Sequence, residues 1–146
     1  MEMAYVLVYL VALSLFLGID YVWLTNMLEL LYRPEIGTLM RAQPDMAAAG
    51  GFYLFYIVAL MILVIVPQLR QGGSLKLSFV LGAVAGAFAY GTYDFTNLAT
   101  LEGWSVKMTV VDLAWGTLLT GTVSAATVAI ARRFGWLTQQ STQVNA

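Results

Sequence analysis

The chain has 146 residues, of which 60% are hydrophobic and 10% charged, with a formal net charge of -1 and a mean hydropathy of +0.79. That length suits a single domain, and its polar groups are too few to cover a soluble surface, so lipid is the solvent for most of it. Without a net positive charge there is no footprint for nucleic acid, and without any Cys or His thiolate nucleophiles, Cys/His zinc sites, His-ligated haem and imidazole proton shuttles are all excluded.

A helix crossing a hydrocarbon core of about 30 Å needs roughly 20 mostly apolar residues. Met1-Glu2-Met3 runs straight into such a stretch, with neither a basic leader nor a small-residue cleavage signal, so the first segment is predicted to be a retained span. It extends from Ala4 to about Leu31, with Arg33-Pro34 as its stop. The connector from Tyr32 to Met46 carries Pro34 at a possible first helical position and Ile36, Leu39 and Met40 at helical spacing, which suits either a short interfacial helix or a solvated loop.

The second span is predicted from Ala47 to Val66, closed by Pro67, and contains no Asp, Glu, Lys or Arg, so it reads as a supporting wall. Its Phe52, Tyr53, Phe55 and Tyr56 are expected to face lipid or core rather than to form a stacking platform. The third span runs from about Leu77 to Leu98, before Glu102-Gly103, and its Gly82-xxx-Gly86 spacing allows close helix approach within the bundle or between protomers. The fourth runs from Met108 to Ala131 and ends at Arg132-Arg133. The runs lack strand alternation, and an open sheet cannot satisfy its edges in lipid. The fold class is therefore all-α, a polytopic transmembrane four-helix bundle over residues 1–134, followed by a polar C-terminal tail, 135–146, whose composition predicts disorder.

With four spans both termini share a side with Arg70, Lys76, Arg132 and Arg133, against Arg33, Arg41 and Lys107 on the other, so the positive-inside rule predicts cytoplasmic termini by four to three.

Ionisable residues inside a membrane are costly and mark candidate functional sites. Counting the helical rise from the predicted boundaries puts Asp20, Asp94 and Asp112 each about 24–25 Å from the inner boundary, near the outer leaflet. Trp23, Tyr93, Asn97 and Trp115 lie at the same level. Helical spacing sets Tyr90, Asp94 and Asn97 on one face of the third span, and Asp112, Trp115, Gly116 and Thr120 on one face of the fourth. Asp20, Trp23, Tyr93, Asp94, Asn97, Asp112 and Trp115 are accordingly the candidate ligand-binding residues. The competing account is local: Asp112 sits in a first helical turn, where a carboxylate gains from the dipole and the free amides, while Asp20 and Asp94 are hydrated at helix ends. Asp20-Tyr-Val-Trp23-Leu-Thr25 and Asp112-Leu-Ala-Trp115-Gly-Thr117 share the pattern Asp-x-x-Trp-x-Thr. Duplication of a two-helix unit would pair the first span with the third rather than the fourth, so the match is not read as a repeat.

With Gly18-Ile-Asp20-Tyr-Val-Trp23-Leu and Tyr93-Asp94-Phe-Thr-Asn97-Leu-Ala-Thr, the chain resembles, from about residue 4 to 134, a bacterial family of four-span integral membrane proteins of unknown function (domain of unknown function 2177). The resemblance implies a multi-pass protein of the bacterial inner membrane and supplies no reaction, substrate or catalytic residue. The leading functional expectation is a non-enzymatic protein that binds or transports a small molecule, cation or proton at an intramembrane carboxylate site. A membrane enzyme acting on a lipid or isoprenoid, with the carboxylates on a hard metal or as acid and base, is the alternative, and an accessory subunit without its own site a further one. No metal site, cofactor or nucleic-acid partner is expected. The expected partners are membrane lipids, a small-molecule or cation ligand and, for transport, a second copy of the chain in a homo-oligomer.

Overall fold

The computed structural model describes residues 2–137, which contain four long helices and no strand; of the polar tail, residues 138–146 lie outside the described residues. The helices are α1 (Glu2–Leu39), α2 (Met46–Arg70), α3 (Leu75–Thr100) and α4 (Val106–Arg133), each long and apolar enough to span a membrane. This is an all-α four-helix membrane bundle. Three starts are set by side-chain caps: Asp45 accepts from the amides of Ala47 (3.1 Å) and Ala48 (3.0 Å), Ser74 from Leu77 (3.0 Å) and Ser105 from Met108 (3.2 Å). The connectors α2–α3 and α3–α4 turn at Gly72 (φ 67°) and Gly103 (φ 82°), left-handed positions that carry little steric cost only for glycine.

Pro34 and Pro67 do not end their helices. α1 runs through Pro34 to Leu39, and α2 runs through Pro67 to Arg70. In both cases a single wide turn comes just before the proline: Leu28–Tyr32 in α1, where the Arg33 amide bonds to Leu28 O, and Met61–Ile65 in α2, where the Val66 amide bonds to Met61 O. An i→i-5 turn moves the carbonyl that a proline ring would strike and drops the hydrogen bond its missing N–H cannot make. The connector predicted from Tyr32 thus begins instead as the last two turns of α1. Leu31 and Ile36 there are buried with Met108, and Glu35 accepts from Ser105 Oγ and from Lys107 Nζ (2.9 Å), tying the end of α1 to the start of α4.

Packing differs from helix to helix. α1, α2 and α4 supply the apolar core, with Val8, Phe16, Ile57, Ile65, Leu119 and Val128 among its fully enclosed members. The buried residues of α3 are all small or polar: Ser78, Gly82, Gly86, Gly91 and Asp94. α3 lies against α4 with its backbone nearly touching, since a Cβ at Gly82 would come within 2.8 Å of Thr120 O, and one at Gly86 within 2.8 Å of the Thr120 side chain. The Gly82-xxx-Gly86 spacing is thereby used inside the bundle. The same approach seats the Tyr90 ring on Gly116, where any Cβ would collide with it.

Candidate functional site

Asp20 and Trp23 lie on α1, Asp112 and Trp115 on α4, and in an up-down bundle these two helices run antiparallel. Their Asp-x-x-Trp segments interlock. The indoles of Trp23 and Trp115 stack with centroids 4.1 Å apart and planes 6° from parallel. Trp115 Nε1 donates to Asp20 Oδ1 (3.0 Å), across to the other helix. Trp23 Nε1 donates to the Tyr32 hydroxyl (3.0 Å), which donates to Asp112 Oδ1 (2.7 Å), again on the other helix. Each tryptophan therefore serves the carboxylate of its counterpart segment, one directly and one through a tyrosine. The two threonines also behave alike, since Thr25 and Thr117 both donate to the carbonyl four residues back, at 2.8 and 2.7 Å. The shared pattern marks a local reciprocity of two facing helices.

α2 and α3 complete the site. Tyr53 of α2 donates to Asp20 Oδ2 (2.6 Å), so both oxygens of that carboxylate have donors. A cavity of about 200 Å³ lies between the elements, lined by Asp20, Leu24, Tyr32, Ile36, Tyr53, Tyr90, Tyr93, Met108, Asp112 and Trp115. It adjoins a cleft of about 360 Å³ between α2 and α3 that shares Tyr53, Tyr90, Tyr93 and Asp112 and continues into Ala49, Phe52 and Ala89. Phe52 and Tyr93 are half exposed at its mouth. Two carboxylates, 5% and 6% exposed, thus face one cavity with no Lys or Arg among its lining residues. In a low dielectric such a cavity favours positive charge, and the surrounding ring faces add to that preference.

Of the predicted residues, Asp20, Tyr93, Asp112 and Trp115 line the cavity, and Trp23 supports it from behind by stacking and through Tyr32. Asp94 and Asn97 do not line it. Asp94 is fully buried in α3, and among the described residues neither carboxylate oxygen has a hydrogen-bond partner. Asp112 is not in a first turn: α4 begins at Val106, and the carboxylate is held by Tyr32 rather than by free amides. The reading of α2 as a mere wall is also corrected, because Tyr53 enters the site and Tyr56 bonds to Thr120 (2.8 Å). Tyr32, Tyr53 and Tyr90 are the polar site residues absent from the candidate set, although helical spacing sets Tyr90 on the face of Asp94. The helical spacing of Ile36, Leu39 and Met40 hinted at the extension carrying Tyr32 inward, whereas nothing in the phase of α2 singled out Tyr53. Among the described residues no group of three or more His, Cys, Asp and Glu side chains is gathered as for a metal ion.

A family model described as "Predicted membrane protein (DUF2177)" matches residues 5–129. No curated protein and no solved structure matches the chain.

Proposed function

The chain belongs to the DUF2177 family of predicted membrane proteins, and from that premise we propose that it binds a small organic cation in the cavity between Asp20 and Asp112, without performing chemistry on it. The observation that carries this reading is the pair of buried carboxylates facing one cavity that no basic side chain lines. An ammonium group suits both the acidic oxygens and the faces of Tyr53, Tyr90 and Tyr93, and the adjoining cleft with Phe52 and Ala89 takes an apolar body. The ligand reaches the cavity laterally, between α2 and α3, where the cleft opens beside half-exposed Phe52 and Tyr93. In this reading the protein sits in the bacterial inner membrane with its termini in the cytoplasm, which puts the site toward the outer leaflet.

Trp23 and Trp115 form a stacked pair beside the cavity and give an intrinsic fluorescence readout. Titration of the detergent-solubilised protein with benzyltrimethylammonium should produce a saturable change, and its neutral isostere neopentylbenzene should not. Asp20→Asn and Asp112→Asn should each weaken the response about tenfold or more, the size of one charge-assisted contact. Equal binding of the neutral isostere, or wild-type affinity in both variants, overturns the proposal.

A further inference from the structure

The opposite end of the bundle carries a second concavity. A groove of about 680 Å³ runs along the outside of the protein between the first turns of α1 and the last turns of α2, with Tyr5, Tyr9, Val58, Ile62, Pro67 and Arg70 among its walls. From Val58 to Arg70 the helix rises about 18 Å, slightly more than half of a hydrocarbon core of about 30 Å. The groove therefore starts at the membrane surface and follows one leaflet inward. Its length is apolar and its charge is confined to one end, where Arg70 terminates α2.

Arg70 is held but not neutralised. Its guanidinium lies 5.6 Å from the Tyr5 ring centroid and donates to the Tyr5 hydroxyl, an uncharged partner. Among the described residues the ion pairs are Glu29–Arg33, Arg41–Asp45 and Glu35–Lys107, all at the far end. Lys76, Arg132 and Arg133 stand at the same end as Arg70, with Glu2 as the one acid there among the described residues. A guanidinium fork whose other N–H groups bond to no described residue, fixed on a tyrosine at the head of an apolar groove, matches an anionic phosphate followed by acyl chain.

We propose that the α1–α2 groove is a binding site for one anionic phospholipid, its phosphate on Arg70 and an acyl chain along Val58, Ile62 and Pro67. This site is separate from the carboxylate cavity and independent of the function proposed for it. The wide turn Met61–Ile65, which carries α2 through Pro67, forms part of the groove wall, so the distortion that accommodates the proline also shapes the seat.

Native mass spectrometry of the full chain, released from nanodiscs containing equal amounts of phosphatidylglycerol and phosphatidylcholine with matched acyl chains, tests this directly. Wild type should retain phosphatidylglycerol over phosphatidylcholine. Arg70→Gln should reduce that preference about fivefold, what one basic residue near an anionic surface contributes. Arg33→Gln, at the far end, should leave it unchanged. Ile62→Trp, at a position 65% exposed and so tolerant of bulk, should lower retention of both lipids by filling the groove with Arg70 intact. Equal retention of the two lipids by wild type, an unchanged preference in Arg70→Gln, or a lipid-free dimer in which a second copy covers the groove each overturns the proposal.

Discussion

The two ends of this bundle handle charge in opposite ways. At the connector end, Arg33, Arg41 and Lys107 are each paired with an acid, and the buried interior nearby holds Asp20 and Asp112. At the terminal end, Arg70, Lys76, Arg132 and Arg133 make no ion pair among the described residues, and Arg132 donates instead to the Gln68 carbonyl (3.2 Å) and to that of Gly73. The interior there holds no buried charge: it is built on Val8, Ile65, Leu69 and Val128, with Gln68, Ser78 and Thr127 as its buried polar side chains. Surface cations are paired where buried carboxylates lie, and among the described residues they are unpaired where the interior holds no charge. Such a gradient along the axis orients a protein in a bilayer.

The sharpest test of that gradient is topological and all-or-none. A reporter fused to the C-terminus should be cytoplasmic and one inserted beside Glu102 should face the other side. A C-terminus outside the cytoplasm breaks the assignment of the free basic end to the inner face. Next in size is the α3–α4 contact that holds both ends in one body. Gly86→Val should destabilise the detergent-folded protein by about 3 kcal/mol, as forced overpacking does, whereas Gly18→Ala, whose Cβ meets nothing within 4 Å, should change it by less than about 0.5 kcal/mol. Comparable melting of the two variants breaks the close approach.

The carboxylates divide the connector end itself. Asp20→Leu strands the donors of Tyr53 and Trp115 and should cost about 1–3 kcal/mol. Asp94→Leu removes a group that accepts no hydrogen bond from a described residue and should leave thermal stability unchanged or raised in the same melting series. Equal losses in the two variants make Asp94 as structurally engaged as Asp20. The last test is at the surface. Glu35→Gln loses a pair with Lys107, whose side chain is 63% exposed, and should cost less stability than Asp20→Leu in the same measurement. A loss as large as that of Asp20→Leu makes the tie between α1 and α4 a main support of the cavity.

The placement of three aspartates at one depth was legible because helical rise is regular. Counted from the terminal end of each observed helix, Asp20, Asp94 and Asp112 lie about 27, 28 and 31 Å along it. Which of them share a cavity depends on rotation about each helix axis, and the near-uniform hydrophobicity of a span leaves little amphipathic signal to fix it. Asp94 lies on α3, the helix pressed flat against α4 by Gly82 and Gly86, and it is enclosed without facing the cavity. Tyr32 was hidden for a different reason, since a proline two residues later ordinarily ends a helix, and only the wide turn before it carries the chain on.

The amino-acid sequence by itself determined the solvent, the four helices, the exclusion of thiol and imidazole chemistry, and how far along its helix each acidic residue lies, because these follow from composition, run length and a constant rise per residue. Tertiary structure alone decided that Trp115 serves Asp20 while Trp23 serves Asp112 through Tyr32, that Tyr53 crosses from α2, and that Asp94 stands apart. These are contacts between helices, and their geometry is set by crossing and rotation, which a glycine seam and two wide turns control without leaving a periodic trace in the chain.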